Sequence, residues 1–144
     1  MRQILLPAAL LVSACGGSRA STPPAEPVAS STQAISAFMQ AAKDSNLTRM
    51  AELWGTSRGP ASQTRPAEYE KRLAVMQVYL RGDSTRILSD DPVPGDEKHR
   101  RVQLALYRGT CVKQIPVTTV RSQKGWIVEG VNLSFAGNPA RPCE

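Results

Sequence analysis

Beyond residue 30 the apolar positions recur first at helical and then at strand spacing. Ile35, Phe38, Met39 and Ala42 fall at i, i+3, i+4 and i+7, which lines one face of a helix running to about Lys43. Ser30-Ser31-Thr32-Gln33 fits a capping box at its start, with the Ser30 hydroxyl and the Gln33 amide satisfying backbone N–H groups. After a turn at Asp44-Ser45-Asn46, the residues Leu47, Met50, Ala51 and Trp54 repeat the spacing in a second, shorter helix. Gly55 suits the left-handed residue that ends it. Residues 55–65 read as a polar loop. A third helix is predicted from Pro66, with Glu68 and Glu70 near the positive end of its dipole. Its apolar stripe is Tyr69, Leu73, Met76 and Leu80, broadened by Ala74 and Val78, and Arg81-Gly82 closes it.

The period then drops to two. Thr85 to Ser89 is β-favouring, Asp90 to Glu97 reads as a turn-rich loop, and Val102, Leu104 and Leu106 alternate with Arg101, Gln103 and Ala105. A β-rich run from Cys111 to Arg121 leads through a hairpin turn at Ser122-Gln123-Lys124-Gly125 into a last strand, Trp126 to Leu133. Pro116 argues for an edge position or a bulge. No internal repeat or heptad is evident. Short turns pair consecutive strands antiparallel, so the fold class is α+β: three N-terminal helices packed on an antiparallel sheet of about four strands.

Three stretches, Phe38 to Asp44, Met50 to Trp54 and Lys124 to Val131, together with this order of elements, resemble the nuclear-transport-factor-2-like superfamily. The resemblance covers roughly residues 31–135 and implies a sheet curved around the helices into a cone with an internal cavity. That superfamily includes ketosteroid isomerases, polyketide cyclases and dehydratases as well as exported lipoproteins of unassigned role, so the fold alone does not choose a function.

Before residue 30 the pattern is different. Met1-Arg2-Gln3 gives a short positive start, and Ile4 to Val12 is apolar over signal-peptide length, too short to span a bilayer as a helix. Val12-Ser13-Ala14-Cys15 resembles the bacterial lipobox, a branched apolar residue and two small ones before the cysteine that is modified. The resemblance implies cleavage before Cys15 and acyl chains on it, and several chains give lasting membrane attachment. An ordinary secretory signal with Cys15 as a chance small residue, or a cytosolic protein with an apolar start, is the alternative. Gly16 in place of Asp after the cysteine favours the outer membrane where the cell has two. Residues 16–30 are dominated by Gly, Ser, Pro and Ala, cannot bury enough apolar surface to offset their ordering entropy, and read as a flexible tether. The organisation is therefore a signal peptide over residues 1–14, a lipidated tether over 15–30, the α+β domain over 31–137 and a tail over 138–144.

The composition is globular in apolar content, with 11 Pro and 10 Gly concentrating outside the periodic segments. A formal charge of +6 admits anionic partners; an export signal sets nucleic acid aside and leaves lipid headgroups or surface polymers. With Cys15 given to lipid, Cys111 and Cys143 remain as an even pair in an oxidising compartment and read as a disulfide; a buried free Cys111 with a frayed Cys143 is the alternative.

Chemistry is sparse. There is no metal-ligand spacing, no Gly-x-Ser-x-Gly elbow and no phosphate-binding glycine loop, so neither a metal nor a cofactor is called. His99, the sole histidine, sits among Lys98, Arg100 and Arg101, cations that should disfavour its protonated form, and reads as a solvated strand entry. Asp90-Asp91 read as solubilising turn residues. Glu129 is the one catalytic candidate: sharing a strand face with Ile127 and Val131, it enters a cavity as a general base, or sits at the rim, or pairs with Arg121 across the hairpin. Three functions follow in order: a non-enzymatic envelope module binding a protein or small apolar ligand, a structural envelope lipoprotein, and a small isomerase- or cyclase-like enzyme.

Overall fold

Residues 26–144 are described by the computed structural model; the leader, Cys15 and residues 16–25 of the predicted tether lie outside them. Helix α1, Ser31–Lys43, begins where Ser30 Oγ accepts a bond from the Gln33 N–H at 3.2 Å. The Ser30 and Thr32 hydroxyls share a bond at 3.1 Å, and the reciprocal bond from the Gln33 amide oxygen that a capping box needs is not made. Its predicted stripe of Ile35, Phe38, Met39 and Ala42 is buried. Helix α2, Leu47–Leu53, is capped by the Asn46 side chain; it buries Met50, Ala51 and Leu53 but leaves Leu47 exposed.

Residues 55–65, expected as a loop, form a two-stranded hairpin, β1 (Gly55–Thr56) with β2 (Gly59–Pro60), and a single-turn helix α3, Ala61–Thr64. The helices thus number four rather than three among the described residues. Gly55 is not the left-handed terminator: a Cβ there would lie 2.3 Å from the Gly59 carbonyl oxygen, so its missing side chain lets β2 approach. Gly82 serves the same end against Leu106, at 2.6 Å. Short-range sequence rules see a glycine after a helix and cannot see what packs on it.

Helix α4, Tyr69–Leu80, starts three residues later than Pro66 because Glu68, at φ 56°, breaks the helical path. Leu73, Met76 and Leu80 are buried as predicted. Ala74 and Val78 do not broaden the stripe; both are exposed, and Gln77 takes the buried position instead. Its amide donates to the Ala42 carbonyl (3.1 Å) and Ser45 Oγ (3.0 Å), which satisfies a polar group that burial would otherwise penalise.

Four antiparallel strands follow in the order β3-β4-β5-β6: β3 Ser84–Val93, β4 Asp96–Arg108, β5 Cys111–Ser122 and β6 Gly125–Val131. The expected loop at Asp90 to Glu97 shrinks to the turn Pro94-Gly95, since Asp91 pairs with Arg101 and Pro92 with Arg100. As an edge strand β3 tolerates the proline. Pro116 lies in an interior strand, yet beside it β6 has already ended: its carbonyl accepts from Asn132, one residue past β6, at 3.0 Å. The absent N–H therefore costs no ladder bond to β6. The last strand stops at Val131, and Leu133–Phe135 is a 3₁₀ turn, η1.

The core lies between α1, α2 and α4 and the sheet residues Val102, Leu104, Leu106, Ile115 and Val117. Ser31 and Thr119 share a buried hydroxyl–hydroxyl bond at 2.8 Å, fixing α1 on β5. Val28, assigned to the tether from sequence, is instead pinned beside Gly125, where its carbonyl accepts from the Trp126 N–H at 3.0 Å. Cys111 and Cys143 come to disulfide distance, with Cα atoms 5.3 Å apart.

Candidate functional site

Strand alternation sends the side chains of Lys98 and Arg100 to the face of β4 opposite His99 and leaves Arg101 on its face. The ring, part-exposed at the entry of β4, contacts two acids that the solvated-entry reading did not include. Asp96 Oδ2 lies 2.6 Å from Nδ1, and Glu129 Oε2 lies 3.0 Å from Nε2. Only a doubly protonated ring makes both contacts as donor bonds; a neutral ring offers one lone pair toward a carboxylate oxygen. Asp96 Oδ1 also accepts from the Lys98 N–H at 3.0 Å. That backbone bond first, and the His99 contact after it, hold the Asp96 carboxyl below its ordinary range despite opposing desolvation.

Beside this contact the β5–β6 register shifts between Thr118 and Thr119. Thr118 pairs with Gly130 and Thr119 with Val128, leaving Glu129 as the extra residue of a bulge. The shift also places Ile127, opposite Val120, and Val131, opposite Val117, on different faces, so the face that period two assigned to all three residues is not formed. Nor does Glu129 pair with Arg121, whose guanidinium lies 5.5 Å from the centroid of the Trp126 ring.

Two adjoining hollows open beside this bulge. The first, about 360 Å³, lies between α4 and the end of β6, with Val75, Met76, Val131 and Leu133 as apolar wall and Lys71 at its edge. The second, about 430 Å³, runs along Thr56, Arg58, Thr64 and Pro66. Trp54, Arg72 and Glu129 line both. Trp54 is locked by its Nε1–H, which donates to the Glu129 carbonyl at 3.1 Å, and Arg72 lies over its ring at 4.7 Å. Trp54 was legible only as a core residue, and Arg72 not at all; helical spacing places Arg72 on the polar side of α4, and nothing in the sequence says that Trp54 reaches it.

Asp90 is not a free turn residue: its Oδ1 and carbonyl accept from Arg100 at 2.5 and 2.8 Å. Among the described residues no His, Cys, Asp and Glu cluster suits a metal ion, and no helix is long and apolar enough to cross a membrane. Cys111 and Cys143, at the start of β5 and in the tail, stand apart from the hollows. In comparisons with known proteins, no family model, curated protein or solved structure matches the chain.

Proposed function

We propose that the chain is an exported lipoprotein, held to a membrane by acyl chains on Cys15, whose α+β domain is a non-enzymatic binding module of the cell envelope. The address rests on Val12-Ser13-Ala14-Cys15 behind a short apolar run, and Gly16 directs it to the outer membrane of a two-membrane cell. The binding role rests on the hollow between α4 and β6, which keeps apolar side chains around an unfilled space of small-ligand size. The nuclear-transport-factor-2-like likeness is supported by helices packed against a four-stranded antiparallel sheet. Register shifts in β3 and β6 supply bends of the kind that curve a sheet into a cone. The address is tested by growing bacteria that express the chain on an alkyne-tagged fatty acid. Label enters the wild type and fractionates with membrane, and Cys15→Ala abolishes it; a soluble, unlabelled wild type overturns the address.

A second reading, a small isomerase- or cyclase-like enzyme acting on an apolar ligand, is favoured by one observation: Glu129 lines both hollows while His99 holds its carboxylate. Glu129 would then move a proton at a carbon beside a carbonyl, with His99 and Asp96 positioning it. Deuterium uptake from heavy water into an apolar ketone, lost in Glu129→Gln, supports this; exchange no faster than buffer excludes it.

A further inference from the structure

Among the described residues, two of the charged side chains that line the hollows make no close contact with an opposite charge or a titratable ring. Lys71 is paired with Glu68 at 3.0 Å, and Glu129 contacts the His99 ring at 3.0 Å. Arg72 and Arg58 have no carboxylate partner among the described residues, although Glu129 lines both hollows with Arg72. Arg72 is also the better placed, since its guanidinium lies over Trp54 at 4.7 Å and that indole is fixed by its bond to the Glu129 carbonyl. Ring stacking leaves the in-plane N–H donors of a guanidinium open, and their fork matches the two oxygens of a carboxylate. On one side of this fork lies the apolar wall of Val75, Met76, Val131 and Leu133.

We infer that the site takes an amphipathic carboxylate, a single alkyl chain with an acid head, its head on Arg72 and its tail against α4 and the end of β6. This rests on the binding-module reading and names the chemistry of its ligand. A purely apolar ligand would leave the guanidinium without a partner, and a small anion would leave the apolar wall uncovered. Arg58, which lines the second hollow with Arg72, adds to the positive field at the head.

The test titrates octanoate, octanol and acetate into the full-length chain carrying Cys15→Ser, by calorimetry and tryptophan fluorescence. The expected result is octanoate binding at least about tenfold tighter than octanol or acetate, weakening as salt is added while octanol binding does not. Arg72→Gln brings octanoate down to the level of octanol, and Arg72→Lys falls between. The salt series on the wild type stands even if Arg72→Gln does not fold. Equal octanoate and octanol affinities, indifferent to salt and to Arg72→Gln, overturn the acid head and leave apolar binding intact. Acetate as tight as octanoate overturns the tail. If neither octanoate nor octanol binds, this inference and the binding role of the hollow fall together.

Discussion

Asp96 stands at the entry of β4, where the Lys98 N–H and the His99 ring both favour its ionised form, and its carboxyl lies below the ordinary 3.8. A carboxyl whose folded pKa is depressed adds stability that is present above its unfolded pKa and is lost as the pH falls through the folded one. Asp96→Asn is therefore expected to lower the melting temperature between about pH 5 and 6, with the gap closing as the pH falls below 3.8. A gap that persists unchanged into acid would show that charge is not what Asp96 contributes. At this scale the sequence singled out Glu129 but not its company. His99 was read as a solvated strand entry and Glu129 as the one catalytic candidate, yet period two put Glu129 in line with Ile127 and Val131, and a one-residue bulge undid that. No local pattern announces such a bulge, because it is set by the pairing of β6 with β5.

At the scale of elements, Arg108 joins three of them. From the end of β4 its Nε donates to the Arg81 carbonyl at 2.9 Å, its Nη1 to the Ala136 carbonyl at 2.7 Å, and its Nη2 to the Tyr79 carbonyl. It thereby gives partners to carbonyls at the end of α4 and at the end of η1, where a helix terminus leaves such groups without intrahelical bonds. Burial pushes its guanidinium below the usual arginine range, and the three carbonyls offset that cost. Arg108→Met, which keeps the stem, is expected to destabilise the domain by about 2 to 3 kcal/mol, read from urea unfolding. A loss within experimental error would reduce the carbonyl bonds to decoration. The long amphipathic helices and the alternating strand β4 were legible because their burial pattern repeats within the segment. Residues 55–65 and 90–93 were not, since β1, β2 and the outer half of β3 hold their form by pairing with partners rather than by their own composition.

For the whole molecule, the long-range constraint at the C-terminus is the approach of Cys143 to Cys111, whose separation in sequence is 32. Around it the tail is tied by Lys113, whose Nζ donates to the Glu144 carbonyl at 2.9 Å, and by the Asn138 bridge to Arg141. Closing a loop of this length stabilises a fold by about 3 to 4 kcal/mol on the chain-entropy model. Cys143→Ser is expected to lose about that much in guanidinium unfolding, while reduction leaves the variant unchanged. Thiol reagents that label both cysteines in the unreduced, denatured wild type would show that no bridge forms. The stripe of α1 and the antiparallel α+β class were legible from the chain alone, since each is written in residues regularly spaced along it. That His99 lies between Asp96 and Glu129, and that Arg72 lies over Trp54 beside a hollow, emerges from the folded chain alone. These contacts join strands and helices remote in sequence, and register, bulges and packing set them only once the chain has closed on itself.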